Sequence, residues 1–231
     1  VTYRGFHFYF NLPLLIILGA LAMPHWSRHD TLVTLGLCLI VLIFTTPWDN
    51  WAVKRNLWNF PKEKILFRIF YCPIEEYIFF LTQTVQACLL TDILRSHFFN
   101  KTISLPTPDF RFASALGLLW LIFFFLSKKL SRPLSLTYLW HLFFWMLPVI
   151  LFQWTMGGLW IQQLPLVIST TLILGTILCL FDLIAIRQGI WFFDEKQTLS
   201  LKLFRLLPLE EIIFFYLTTL MVVQGFLLFT Q

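Results

Sequence analysis

The chain of 231 residues is 58% hydrophobic, 19% aromatic and only 13% charged, with a mean hydropathy of +0.78, a balance that excludes an ordinary soluble domain. Its net charge of +5 would suggest nucleic acid as a partner for a soluble chain, but the cations here sit at the ends of apolar runs as topology signals, and nucleic acid is discounted. Cys38, Cys72, Cys88 and Cys179 show no C-x-x-C spacing and lie within or beside apolar runs, where they read as small core residues.

Apolar runs lie at about residues 6–23, 31–48, 74–91, 112–127, 134–154, 164–181 and 209–229, free of charge except that the third and the last open on a pair of acids. They predict an all-α integral membrane protein of about seven transmembrane helices, with no room in these residues for a soluble domain. The first run ends Ala20-Leu21-Ala22, which imitates a signal-peptide cleavage site. A copy of that run deep in the chain predicts instead that it is retained as a helix.

Lysine and arginine set the expected orientation, because segments on the cytoplasmic side are enriched in them. Arg4, Lys54, Arg55, Lys62, Lys64, Arg68, Lys128, Lys129, Arg132, Arg187, Lys196, Lys202 and Arg205 fall on one side, thirteen in all. Arg28, Arg95, Lys101 and Arg111 fall on the other. The N-terminus is therefore expected in the cytoplasm and the C-terminus outside, in a cell membrane.

The copy is part of a long internal duplication. Thr2-Tyr3, Phe8 and Leu12-Pro13 match Thr137-Tyr138, Phe143 and Leu147-Pro148 at an offset of 135. Asp49, Trp58 and Phe60 match Asp182, Trp191 and Phe193 at an offset of 133. Three spans reverse sidedness, so a linking span is needed for both copies to point the same way, as the charge count requires. The predicted organisation is a three-helix repeat over residues 1–94, a linking helix over 95–133 and a second three-helix repeat over 134–231, in parallel about an axis along the membrane normal.

The most informative motif occurs in both copies. Pro73-Ile74-Glu75-Glu76-Tyr77-Ile78-Phe79-Phe80 and Pro208-Leu209-Glu210-Glu211-Ile212-Ile213-Phe214-Phe215 each place two acids at the mouth of an apolar run. Proline in the first turn and carboxylates facing the positive end of the helix dipole mark a helix start. The bland reading makes Glu75, Glu76, Glu210 and Glu211 interfacial acids, solvated or paired with Arg68 and Arg205. Against it, a cap needs only one carboxylate, and a pair recurs in both copies. A carboxyl held among apolar groups favours its neutral form and can act as a general acid. Neighbours on a helix are about 100° apart, so one acid of each pair faces inward, and the sequence leaves open which.

Phe79, Phe80, Phe214 and Phe215 lie one turn on, with Tyr77 beside the first pair. Their alternative role is ordinary packing, yet a ring within about 6 Å of a cation stabilises it by about 2 kcal/mol or more in the absence of water. Acids with aromatic walls suit the making and holding of a carbocation. Asp49 with Trp58 and Asp182 with Trp191 read equally well as interfacial residues or as proton supply. Gln83, two turns beyond Glu76, is expected to satisfy a neighbour inside the bundle. The glycines contain no G-x-G-x-x-G and no P-loop spacing, and the five histidines no ligand spacing, so no flavin, nucleotide or metal is predicted.

Taken together, these residues resemble the membrane lycopene cyclases of the fused heterodimeric type, found in some bacteria and archaea and as the cyclase half of fungal bifunctional carotenoid enzymes. The two Pro-x-Glu-Glu-x-x-Phe-Phe motifs carry the resemblance, with Gln83-Thr84, Trp48-Asp49, Trp58-Asn59-Phe60, Phe181-Asp182 and Trp191-Phe192-Phe193 extending it over essentially the whole chain. Two departures stand out: Phe181 in place of tryptophan, and Arg187-Gln188-Gly189 set beside Arg55-Asn56-Leu57, so that only one copy has a loop glycine. The resemblance implies cyclisation of the linear ends of lycopene, or a related linear carotenoid, to β-ionone rings, giving β-carotene via γ-carotene without net redox change. Glu75, Glu76, Glu210 and Glu211 would be catalytic and the aromatics would stabilise the cation, with membrane lipid as surroundings. Association with other carotenoid enzymes, or into a homo-oligomer, stays open. Two other classes compete. A transporter of parallel repeats is disfavoured by the scarcity of polar residues in the second, fourth and sixth runs. A retinoid- or carotenoid-binding seven-helix protein is weakened because residues 209–229 contain no lysine for a Schiff base.

Overall fold

Seven long helices follow in the order of the apolar runs, in a computed structural model that describes residues 1–99, 110–129, 133–157 and 163–230. They are α1 (Tyr3–Ala22), α2 (Arg28–Lys54), α3 (Ile74–Phe98), α4 (Phe110–Lys129), α5 (Thr137–Met156), α6 (Leu164–Arg187) and α7 (Leu209–Phe229). Among the described residues α1, α2, α3, α5, α6 and α7 are long and apolar enough, by length and composition, to cross a bilayer, and the 20-residue α4 follows the first three. The chain is an all-α integral membrane protein. Lys101 and Arg132, used above for orientation, lie outside the described residues.

The pattern of burial is that of a protein dissolved in lipid. Ile16, Leu35, Leu39, Ile43, Leu172 and Leu180 are exposed, whereas Asp49, Gln86, Asp182, Glu210 and Gln224 are buried. Lipid tails are as apolar as leucine, so sequestering aliphatic side chains gives little drive for helix association, and polar contacts and close packing supply it. Gln83 shows the point: its amide on α3 donates to the Thr218 hydroxyl on α7 at 2.9 Å, satisfying a neighbour inside the bundle. At Gly175 the absence of a side chain lets the Tyr216 ring lie where a Cβ would be only 2.7 Å from it.

Helix ends explain why the observed helices outrun the apolar runs. α2 continues past residue 48 to Lys54 and α6 past 181 to Arg187, because hydrophobicity marks only the part that matches the bilayer. Both then stop the same way: Leu57 N–H bonds Ala52 C=O and Ile190 N–H bonds Ala185 C=O, each at 3.0 Å. This six-to-one closure needs a left-handed residue between, supplied by Asn56 (φ 55°) and Gly189 (φ 63°). The structural register thus sets Asn56 opposite Gly189, one residue away from the pairing read from sequence. Asparagine is among the few residues with side chains that adopt this conformation readily, which resolves the apparent loss of the glycine in the first copy. At its other end α2 opens with a capping box, in which Asp30 N–H bonds the Ser27 hydroxyl and Ser27 N–H bonds the Asp30 carboxylate.

Between α2 and α3, and again between α6 and α7, the chain makes a small β-hairpin. β2 (Arg68–Ile69) pairs with β3 (Cys72–Pro73), and β5 (Lys202–Leu203) with β6 (Leu207–Pro208), both antiparallel. A third pair joins the two loops directly: β1 (Trp58–Asn59) and β4 (Phe192–Phe193), with Trp58 opposite Phe193. Each second hairpin strand ends on the proline of the acid motif. That proline is the N-cap itself, one position earlier than the first turn expected, with α3 and α7 starting at the next residue. The hairpins therefore deliver both Glu-Glu pairs to the same end of the bundle.

Candidate active site

The first acid of each pair is spent on the loop that precedes it. Glu75 accepts the Leu66 backbone N–H at 2.8 Å, and Glu210 accepts the Leu199 backbone N–H at 2.6 Å. The second acid of each pair turns inward. Glu76 accepts the Tyr3 hydroxyl at 2.8 Å, and Glu211 accepts the Tyr138 hydroxyl. Both tyrosines sit at the first turn of their helices, α1 and α5, and both contacts span 73 residues.

Glu76 and Glu211 line one cavity, together with Asp49 and Asp182. Its walls are aromatic: Phe79, Phe80, Phe214 and Phe215 from α3 and α7, and Trp58 and Trp191 from the crossed loops. Phe79 meets Phe215 with ring centroids 6.1 Å apart, and Phe214 meets Phe215 at 5.1 Å. Trp48, Phe60, Phe193 and the two tyrosines, Tyr3 and Tyr138, complete the lining. Among the described residues no lysine or arginine lines this space. Arg68 instead donates to the Phe60 carbonyl and the Asn59 amide oxygen, each at 3.0 Å, and to the Tyr71 carbonyl.

The two aspartates have matching surroundings. Asp182 accepts the Trp191 indole N–H at 2.6 Å, and its counterpart Asp49 faces the Trp58 indole and the Cys72 thiol. Two histidines brace the same region from outside the cavity. His7 donates from Nε2 to the Glu75 carbonyl at 2.9 Å and accepts the Asn11 amide at Nδ1, and the π-helical turn His7–Asn11 carries both residues. His141 donates to the Trp48 carbonyl at 3.2 Å and stacks on Trp51.

The structure thus gathers Glu76, Glu211, Asp49, Asp182, the four phenylalanines and both tryptophans, and places the other candidates elsewhere. Tyr77 accepts from Asn50 and donates to the Ile69 carbonyl, tying α2 to the first hairpin. Gln83 lines a neighbouring groove. Tyr3 and Tyr138 were absent from the expected site although their recurrence at the 135-residue offset singled them out. A recurring polar residue at the start of an apolar run was the signal available.

Comparison with known proteins finds relatives along nearly the whole chain. A "Bifunctional lycopene cyclase/phytoene synthase" of Sporisorium reilianum is 30% identical over 97% of this chain and 34% of its own length. One of Colletotrichum graminicola is 28% identical over 99% of this chain and 40% of its own length. A "Lycopene beta-cyclase" of Halobacterium salinarum is 28% identical over 94% of this chain and 91% of its own length. The chain is a relative of the membrane lycopene cyclases. It spans only about a third to two fifths of the fungal relatives, but nearly all of the archaeal cyclase. With at least 94% of the chain covered in each comparison, the similarity to these cyclases reaches both halves of the cavity. No family model matches the chain, and no solved structure matches it.

Proposed function

We propose that the chain is a carotenoid-biosynthesis enzyme that cyclises the linear ends of lycopene to β-ionone rings, yielding β-carotene through monocyclic γ-carotene. The observation that carries this is the convergence of four acids, two from each half, in one cavity walled by phenylalanine and tryptophan. The cyclase relatives supply the substrate class.

The chemistry follows from that inventory. A carboxylic acid protonates the terminal double bond of the polyene, leaving a tertiary cation. The neighbouring double bond attacks it and closes the six-membered ring, and loss of an adjacent proton gives the product with no net oxidation or reduction. Glu76 and Glu211 are the acids at hand, one donating and the other balancing the cation or receiving the proton, each oriented by its tyrosine. The aromatic faces stabilise the cation while excluding water that would trap it as an alcohol. Asp49, which lines the same cavity, is the group assigned to resupply the proton.

Recurrence of the Tyr–Glu contact at equal sequence separation, and of the same helix closure after α2 and α6, supports the reading of residues 1–94 and 134–231 as two parallel repeats linked by α4. On that reading, and with the excess of cations at its loops, the cavity opens near the cytoplasmic face of a cell membrane, and the C-terminus lies outside.

Cells that make lycopene and express this chain test the proposal. They should accumulate β-carotene with some γ-carotene, and purified protein in lipid should convert lycopene with flavin and nicotinamide removed. Lycopene persisting unchanged while the protein is present in the membrane would refute it.

A further inference from the structure

Beside the acid-lined cavity lies a second space, bounded by α2, α3, α5 and α7 and apolar over most of its lining. The cavity has a volume of about 40 Å³, the groove about 120 Å³. Phe80 and Phe214 line both, so these two rings are the partition between them. Val41, Phe44, Val149, Met221 and Val222 form its sides. Ile40 forms its rim, and at 53% exposed it faces the lipid. Leu37 and Gln153 also line the groove, and both pack on Gly225 of α7, where an added Cβ would lie 3.0 Å from Leu37 and 3.5 Å from the Gln153 amide.

The corresponding face of the other half is built differently. At the 133-residue offset that relates α2 to α6, Val41 and Thr45 become Leu174 and Leu178, which are 0% and 1% exposed. Larger side chains fill there what stays open between α2 and α7. Pseudo-symmetry in the acids is therefore not matched by symmetry in access.

We infer that the groove between α2, α5 and α7 holds the linear polyene, admitting one end at a time past Phe80 and Phe214 into the acid-lined cavity. The inference rests on the cyclase reading and deepens it. Three observations select an extended hydrocarbon as the occupant: the apolar sides, the lipid-facing rim and the two rings shared with a cavity whose lining holds no lysine or arginine among the described residues. It follows that the two ends of one molecule are cyclised in two successive bindings, the half-finished carotenoid withdrawing and re-inserting its other end.

Photo-cross-linking and turnover together test this. p-Benzoylphenylalanine is placed at position 40 on the groove rim or at its counterpart, position 173, in protein from lycopene-making cells, and adducts are mapped by mass. Adducts should form at 40 in at least tenfold excess over 173. Val149→Trp, which fills the groove, should lower both the adduct yield and lycopene conversion at least tenfold at unchanged membrane content. Equal labelling at the two positions, labelling favouring 173, no labelling at either, or normal conversion by V149W would overturn the groove. Adducts at 40 with no cyclised product from the parent chain would instead leave the groove standing and sink the cyclase reading, so the two failures are distinguishable.

Discussion

Buried acids occupy both ends of this bundle, and they are held in opposite ways. At one end Asp30 and Asp92 both face Arg95, at 3.4 Å and 2.9 Å, and Arg95 also donates to Thr230 on the last turn beyond α7. At the other end Glu76, Glu211, Asp49 and Asp182 line one cavity with hydroxyls, an indole N–H and rings around them, and no cation among the described residues. A paired charge is spent on holding three helices together. An acid given only neutral neighbours can keep, give up or regain a proton, which is the property acid catalysis needs.

Removing the unpaired acids should have the largest effect. Glu76→Gln or Glu211→Gln preserves shape and the tyrosine contact while removing the transferable proton. Cyclisation should fall about a hundred- to ten-thousand-fold with the protein still inserted and its thermal stability little changed. Initial rates in lipid-reconstituted protein would measure this, and a loss under tenfold for both would erase the distinction drawn between the two ends.

Arg95→Met should do the reverse. Breaking a buried ion pair from one side costs about 3–5 kcal/mol because it strands the opposite charges, here Asp30 and Asp92. The unfolding midpoint should drop sharply, the surviving folded protein should keep its rate, and adding Asp30→Asn and Asp92→Asn should restore most of the stability. A rate defect per folded molecule with no loss of stability would contradict the structural role.

Smaller still is the contrast within one motif. Glu75→Ala removes a single acceptor from the Leu66 N–H and should cost about 1 kcal/mol of stability, with activity within a few-fold of the parent chain. A loss as large as that from Glu76→Gln would mean that the hairpin-bound acid is in the chemistry after all.

This division within the motif marks where sequence stopped being informative. Helix starts at both prolines, seven helices and the doubled acid pair are local or periodic features, and each was legible. Which glutamate faces inward was not, because adjacent positions on a helix differ by about 100° and the choice is made by Leu66 and Leu199, whose N–H groups arrive from the loop just ahead of each hairpin. Tyr3 and Tyr138 recur visibly, yet their partners lie 73 residues away and no spacing rule joins them. Asn56 opposite Gly189 is a milder case: the left-handed stop is a backbone requirement that two different residues meet, and matching identities alone misplaced it by one. Asymmetry of access was hidden most deeply, since Thr45 and Leu178 differ by an ordinary substitution whose effect depends on what packs across from each.

The central claim is that the two halves make one site rather than two. The most direct measurement is the pigment composition of lycopene-making cells expressing Glu75→Gln with Glu76→Gln, or Glu210→Gln with Glu211→Gln, at membrane levels equal to the parent chain. A single chamber predicts lycopene nearly untouched in both, with γ-carotene no more abundant than β-carotene. Abundant γ-carotene from either variant would show that each half closes a ring by itself, and would contradict the account.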